Sequence, residues 1–390
     1  MLPVALPPWQ GERGWPPARL DARAFDVALE CLVQANANMP TVDAALLDLL
    51  LRAEGHRTLH ALAQVMGRSP QEIACGLEAL EQAGCLFENH PGSGVRLVEA
   101  GLGTWQDYLQ WRLDPIRRPG GGPAQHRVIE VYSEAASTQD AARRVLSARG
   151  GYAHGALIAA DHQRAGRGRL GRRWLAPPGT GATFSYIHVD GATNKADSGC
   201  APSTSPRVPA SVAGDDGMWL SAAVAVAEAI DALAPSHAPT AQIKWPNDVL
   251  LDGKKVAGIL IETAAGPMRS AVIGIGINVG LQPQHLADMP ADVAAGLGSL
   301  AMHAFTADRL DVIATVATQL ESRLSRGRVA ETLAAWRSRC VQLGLRLHLR
   351  CDGRDIHGVV VDVDPDAGLI VRTEAGTLIH LPAATTTVCG

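Results

Sequence analysis

Residues 241–279 read AQIKWPNDVLLDGKKVAGILIETAAGPMRSAVIGIGINV. Four β-rich runs follow one another in this stretch: QIKW, VLLD, KKVAGILIE and AVIGIGINV. Asp252-Gly253 separates the second from the third, and Asp-Gly between apolar runs is a strong signal for a tight hairpin. Strands this close in sequence leave no room for crossover helices, so the spacing predicts antiparallel pairing. Upstream, GALIAADHQ and ATFSYIHV read as two further strands, and MWLSAAVAVAEAIDAL reads as a helix. The predicted fold class is therefore α+β, a mixed and largely antiparallel sheet with helices rather than a doubly wound parallel one.

The flanks of this central region differ from it. Residues 1–40 are rich in Pro and Ala and carry one amphipathic stretch. Over 44–112, LLDLLLRAEG is apolar at helical spacing, Thr58 opens LHALAQVMG, and Gly67 stops it. Ser69-Pro70-Gln71-Glu72 then supplies an N-cap, a Pro at the first helical position and a capping-box Glu. The helix that follows buries Ile73, Leu77 and Leu80, and CLFENHPGSGVRLVE turns at Pro91–Gly94. Helix, helix, tight turn, helix and wing predict a winged helix-turn-helix over 44–112. The Pro/Gly/Arg cluster from Arg117 to Pro123 reads as a linker. A central domain is expected over 125–340, with 190–217 a polar, turn-rich insertion and a disordered surface loop. Short β runs separated by turn residues predict a small SH3-like β-barrel over 341–390.

The balance of charge narrows the function classes. The 390 residues carry a net charge of −4 and are 47% hydrophobic, which describes a soluble globular chain without a nucleic-acid binder's overall charge. Within residues 46–100, seven carboxylates face four arginines, a net of −3. The second of the paired helices, from Ser69 to Ala83, holds Glu72, Glu78 and Glu81 and no Lys or Arg. Duplex binding relies on neutralising phosphates, and this surface offers little of it. The N-terminus lacks a basic region leading into an apolar one, and no uncharged apolar run reaches ~18 residues, so neither a signal peptide nor a membrane span is expected. Seven scattered cysteines with no C-x-x-C pair suggest neither zinc nor a disulfide framework, and a reducing cytoplasm fits them.

The densest chemical signal is Gly166-Arg-Gly-Arg-Leu-Gly-Arg-Arg-Trp174. Glycines let a backbone approach an anion, and arginines supply bidentate phosphate donors. The stretch matches G-x-G-x-x-G literally, but Pro177-Pro178-Gly179 follows within two turns, and the dinucleotide motif has to open a helix. No G-x-x-x-x-G-K-[ST] occurs. The competing reading is a solvated basic loop. Clustered arginines repel, so such a loop is expected to order only around an anion such as a polyphosphate nucleotide. In Lys244-Trp-Pro-Asn-Asp248, Asn247 and Asp248 are either turn residues or oxygen ligands for Mg²⁺. Lys255, past a tight hairpin, is either a surface charge or a cation aimed into a pocket. The glycines of Gly274-Ile-Gly-Ile-Asn278 either admit a flat ligand or only pack.

Taken in order, ASTQD around Ser137-Thr138, QRAGRGR from Gln163 to Arg169, KWPND, KVAGILIE and GIGIN resemble the biotin protein ligases. The resemblance covers about 125–390, and the segment before it looks like the DNA-binding domain of members that double as repressors. It implies an enzyme that converts biotin and ATP to biotinyl-AMP and pyrophosphate. Biotin then passes to a lysine of a biotin carboxyl carrier protein of acetyl-CoA carboxylase. Ser137, Thr138, Gln139, Gln163, Gly168 and Gly258 are implied as biotin contacts. Arg167, Arg169 and Lys255 would meet both the biotin carboxylate and the phosphates. Arg172, Trp174, Lys244, Asn247 and Asn278 are implied on the nucleotide, with Mg²⁺ at Asn247 and Asp248. Lys255, Arg167 and Lys244 would be the catalytic set. A homodimer through the central sheet is also implied. The family often has Asn where this chain has Gln139, one methylene longer. DNA binding is implied by the resemblance and opposed by the charge balance, and ligase activity is expected to survive removal of residues 1–115. Two rivals are a lipoyl or octanoyl transferase, which needs a nucleophilic Cys or Lys, and a non-enzymatic biotin-sensing regulator.

Overall fold

The computed structural model describes residues 42–114, 127–190, 217–264, 269–287, 289, 291–325 and 329–389. Residues 1–40, the linker from Arg117 to Pro123 and nearly all of the 190–217 insertion fall outside these.

Three short helices come first: α1 (Ala44–Leu51), α2 (Leu59–Met66) and α3 (Pro70–Gln82). Their ends are set by the residues the sequence offers. Thr58 Oγ1 accepts from Ala61 N at 3.2 Å, and Gly67 closes α2 at φ 64°, a left-handed conformation that glycine adopts without strain. Ser69 and Glu72 form a reciprocal capping box at the start of α3. The hairpin β1 (Leu86–His90) and β2 (Gly94–Glu99) follows, then α4 (Trp105–Arg112).

The main sheet has seven strands: β3 (Ile129–Ala135), β4 (Leu157–Gln163), β5 (Gly181–Val189), β6 (Gln242–Lys244), β7 (Asp248–Leu251), β8 (Lys254–Ala264) and β9 (Ser270–Asn278). Their order is β3-β4-β5-β9-β8-β7-β6, with β3 and β4 parallel and every other pair antiparallel. The α+β expectation holds. Asp252 and Gly253 turn the β7–β8 hairpin at φ 52° and 75°.

Side chains alternate across each strand, and that alternation divides the sheet into two unlike faces. Ala182, Phe184 and Tyr186 of β5, Ala257 and Ile259 of β8, and Ile273, Ile275 and Ile277 of β9 join the main core. The helices α6 (Met218–Ala232) and α8 (Arg309–Ser325) belong to that core, with Leu220, Val224, Leu310, Val316 and Leu320 fully buried. On the other face, α5 (Thr138–Arg149) sets Ala141, Ala142 and Val145 against Ile158, Ile187 and Val272. Apart from Leu260, the alternate positions beyond that patch are small or polar: Ser185, Gly258, Glu262, Gly274 and Gly276. There the sheet keeps an open face.

Two shorter helices, α7 (Ala291–Gly296) and α9 (Val329–Arg339), precede a five-stranded antiparallel sheet. It consists of β10 (Arg346–Cys351), β11 (Arg354–Asp364), β12 (Gly368–Thr373), β13 (Leu378–Leu381) and β14 (Thr386–Val388), in the order β13-β12-β11-β10-β14.

Residues 42–114 are built into the rest of the chain. Trp105, Tyr108, Leu109 and Leu113 have no exposed surface, and the Arg309 guanidinium lies 5.2 Å from the Trp105 ring centroid. Ala100 N donates to Asp308 at 2.9 Å, and Arg309 reaches Glu99 at 3.2 Å and Asp161 on β4. Burial raises the carboxyls of Asp308 and Asp311 above the usual Asp range. This contact set opposes the expectation that residues 1–115 can be removed at little cost, because removal would bare apolar surface and leave buried charges without partners.

Candidate active site

The open face becomes a cleft lined by α5's first turn, the loop after β4, the glycines of β8 and β9, and the β6–β7 corner. It gathers Ser137, Thr138, Gln139, Gln163, Arg167, Gly168, Arg169, Arg172, Trp174, Lys244, Asn247, Asp248, Lys255 and Gly258, which sequence reading had named one by one. Asn278 is the exception. Its amide donates to Gly298 O at 2.9 Å and it does not line the cleft, so the side chain fixes the 297–298 segment to β9.

The polar end is a closed network at the N-terminus of α5. Ser137 caps the helix, accepting from Gln139 N at 3.3 Å. Gln163 Oε1 accepts from Thr138 N at 2.8 Å and from its hydroxyl at 3.2 Å. Ser185 Oγ lies 2.9 Å from Thr138 Oγ1 and 3.0 Å from Gln139 Oε1. The Gln139 amide donates to Leu260 O at 3.3 Å and to Glu262 at 3.2 Å. The extra methylene of Gln139 is thus used: the side chain lies over Gly274, where an added Cβ would stand 2.9 Å from its Cδ. Buried polar groups that are this fully paired hold one geometry.

The arginine-rich loop adopts a 3-10 turn over Arg169–Gly171, with Gly168 N donating to Arg172 O at 2.8 Å and Trp174 N to Gly166 O at 2.9 Å. No long helix opens here, so the dinucleotide fingerprint match has no structural counterpart. The guanidiniums do not simply repel. Arg167 Nη1 pairs with Asp140 at 2.9 Å, and its Nη2 lies 3.5 Å from Glu262. Arg169 reaches the carbonyls of Ala383 and of Thr386 in the C-terminal sheet, and burial lowers its pKa. Thr387 and Val388 of β14 complete that wall of the cleft.

Trp174 lies flat on the glycine floor. A Cβ on Gly276 would stand 2.4 Å from its ring, and one on Gly258 would stand 3.2 Å away. The glycines therefore do admit a flat group, and in this structure it is the chain's own indole. Lys255 Nζ sits 5.8 Å from the Trp174 ring centroid and 2.5 Å from Asp248 Oδ1. Four donors of residues lining this cleft are buried without a hydrogen-bond acceptor: Arg167 Nε, Arg167 Nη2, Trp174 Nε1 and Trp245 Nε1. Orphaned donors around a cleft mark where an acceptor-bearing ligand would be satisfied.

The pair named for Mg²⁺ fits a resident ion poorly. The Asp248 carboxylate is engaged by Lys255, and the Asn247 amide donates to Ile259 O at 3.1 Å. Among the described residues, no cluster of three or more His, Cys, Asp or Glu is placed to hold a metal.

Sequence reading missed Ser185, Asp140, Thr387 and Val388, and gave Glu262 no role. Two-residue periodicity along β5 and β8 would have placed Ser185 and Glu262 beside the glycines, and Asp140 follows Ser137 by one helical turn. Nothing local points to Thr387 and Val388.

Comparison with known proteins agrees with this geometry. The Biotin/lipoate A/B protein ligase family model matches residues 137–278. The bifunctional ligase/repressor BirA of Bacillus subtilis is 32% identical over 228 residues, covering 57% of this chain and 63% of that protein. This chain thus spans somewhat less than two thirds of that relative. The biotin--[acetyl-CoA-carboxylase] ligase of Paracoccus denitrificans is 32% identical over 238 residues, covering 60% of this chain and 90% of that one. Its counterpart in Mycobacterium tuberculosis is 31% identical over 274 residues, covering 67% and 92%. Among solved structures, a biotin protein ligase from Aquifex aeolicus in complex with biotin and ATP is similar in fold. Its TM-score is 0.50 at 24% identity, over 68% of this chain and 100% of that one. With two relatives above 30% identity covered over nine tenths of their length, and the family's motif residues gathered on one sheet face, the chain belongs to the biotin protein ligase family.

Proposed function

We propose that the chain is an ATP-dependent ligase that activates biotin as biotinyl-5′-AMP and transfers it to a lysine of a biotin carboxyl carrier protein. The observation that carries this reading is one cleft holding Lys255, Lys244 and Arg167 around a glycine floor with orphaned donors. In the first step a carboxylate oxygen of biotin attacks the α-phosphorus of ATP and pyrophosphate leaves. Two anions must meet, so the demand on the protein is for neutralisation and in-line placement rather than for a nucleophile. Lys255 offsets charge at the reacting pair, Arg167 and Arg169 hold carboxylate and phosphates, and Lys244 and Asn247 steady the nucleotide. Ser137, Thr138, Gln139 and Gln163 receive the ureido end of biotin, with Gly168 and Gly258 admitting its rings and chain. Arg172 and Trp174 close over the adenylate, and Asn278 acts by shaping the strand. In the second step a neutral lysine amine attacks the acyl carbon, AMP leaves, and the amine gives up a proton.

Mg²⁺ in this account would enter on the nucleotide's phosphates as part of the substrate, where it would offset their charge. The domain division (44–112, 125–340 and 341–390), a cytoplasmic setting and a homodimer through the central sheet belong to the same proposal. Among the described residues no helix is long and apolar enough to cross a membrane. A cysteine-dependent transferase finds no cysteine among the described residues lining the cleft, while a lysine-dependent one, given Lys244 and Lys255 there, is separated by whether the reaction passes through an adenylate. The test is incubation with biotin, ATP and a purified carrier domain. Avidin-detectable label on the carrier lysine is expected, and its absence there would reject the reading.

Ligand has to move Trp174 off the floor it covers. Biotin with ATP is expected to change tryptophan emission, and Trp174→Phe to remove most of that change. Emission that responds equally in both proteins would place the ligand elsewhere.

The regulator reading is testable separately. Of the five arginines between residues 44 and 112, Arg52 pairs with Asp48, Arg68 with Asp43 and Arg96 with Glu88, Arg112 lies 3.8 Å from Asp48, and Arg57 alone forms no ion pair among the described residues. Phosphate contacts by any of these arginines but Arg57 would have to break a pair, and Glu78 and Glu81 on α3 would face the duplex. Fluorescence anisotropy at ~150 mM salt with biotin and ATP present is expected to find no specific operator binding. Nanomolar affinity for a palindromic site would restore a repressor role.

A further inference from the structure

Four charged side chains form a ring at the mouth of the cleft. Arg143 Nη2 pairs with Asp140 at 2.7 Å, and Arg167 Nη1 pairs with the same carboxylate at 2.9 Å. Glu262 stands 3.5 Å from Arg167 Nη2 and 3.6 Å from Arg143 Nε. Two cations and two anions balance, so the ring as it stands offers no net positive charge to an incoming anion. Yet Arg167 still carries two buried donors with no acceptor. The guanidinium is therefore neutralised without being fully hydrogen-bonded, a state that a better-placed carboxylate can displace.

Glu262, on β8, is held on its other side by the Gln139 amide at 3.2 Å. Asp140 is held by the two arginines of the ring, Arg143 and Arg167. It sits in the first turn of α5, and its side chain is 49% exposed. Of the two counter-ions it is the more exposed, and Arg143 can keep it when another carboxylate takes up Arg167. We propose that Asp140 is the resident counter-ion of Arg167, and that a substrate carboxylate must displace it to bind. Asp140 thereby sets the affinity for carboxylate-bearing ligands and does not touch the substrate itself. The inference rests on the assignment of Arg167 to the biotin carboxylate proposed above.

The test is isothermal titration of the wild-type protein, Asp140→Asn and Asp140→Glu with biotin and with its uncharged methyl ester, at low and high salt. Asp140→Asn gives the ring a net positive charge, so biotin binding is expected to tighten roughly two- to fivefold, the scale of a partly exposed ion pair. The methyl ester is expected to bind all three proteins alike, and Asp140→Glu to stay near wild type. At ~1 M salt, where the Debye length falls to about 3 Å, the gain is expected to shrink. A merely structural role would move both ligands together, so equal shifts overturn the inference, as does unchanged or weaker biotin binding by Asp140→Asn. Either result leaves the ligase reading standing if the wild-type protein binds biotin. A wild-type protein that binds neither ligand removes that reading, and this inference with it.

Discussion

Replacing Lys255 by alanine is expected to slow formation of the adenylate by about 100-fold or more while the protein stays folded. The size follows from what the side chain offsets. Biotin's carboxylate and the α-phosphate both carry negative charge, and deleting one preorganised donor from such a centre typically costs ~3 kcal/mol of transition-state stabilisation. The fold depends on Lys255 far less. Its side chain is 29% exposed and its charged partner among the described residues is Asp248, so the loss of stability is about 1 kcal/mol or less. Single-turnover formation of labelled adenylate, measured beside a thermal melt, separates the two effects. Near-native turnover would mean that the cation at the head of β8 has no part in the chemistry.

Trp105→Ala is expected to destabilise the chain by ~3–5 kcal/mol, the usual cost of emptying a buried indole site. Trp105 has no exposed surface, donates to Ala100 O at 3.3 Å and lies under the Arg309 guanidinium. Arg309 in turn pairs with Asp161 on β4, the strand that ends at Gln163 in the cleft. Removing residues 42–114 altogether would expose Tyr108, Leu109 and Leu113's partners and leave Asp308 without the Ala100 N–H, so the loss should be larger still. Denaturant unfolding checks the substitution, and thermal melting checks the deletion. A midpoint unchanged from wild type in either would mean that α4 is not part of the central core.

The central sheet was legible because its signals are local. Asp252-Gly253 fixed one hairpin, and β runs in close succession called for antiparallel pairing. The helix caps at Thr58, Ser69 and Gly67 lie where the sequence placed them, since capping depends on residues within one turn. The cleft's membership was legible for the same reason, as each motif contributes a short contiguous piece. What could not be read is the pairing between pieces. The arginine loop looked self-repelling because its counter-ions, Asp140 and Glu262, and the carbonyls of Ala383 and Thr386 come from distant segments. Trp174 was implied on the nucleotide, and only the fold lays its ring on Gly258 and Gly276. Asn278 sat in a ligand-facing motif, but its amide is spent on Gly298.

The most direct test of the central claim is ATP–pyrophosphate exchange by the purified protein with biotin, octanoate or lipoate as the added acid. Label should pass from pyrophosphate into ATP with biotin and not with the other two. Exchange driven equally by octanoate or lipoate, or no exchange with biotin, would contradict the assignment of this cleft to biotinyl-AMP formation.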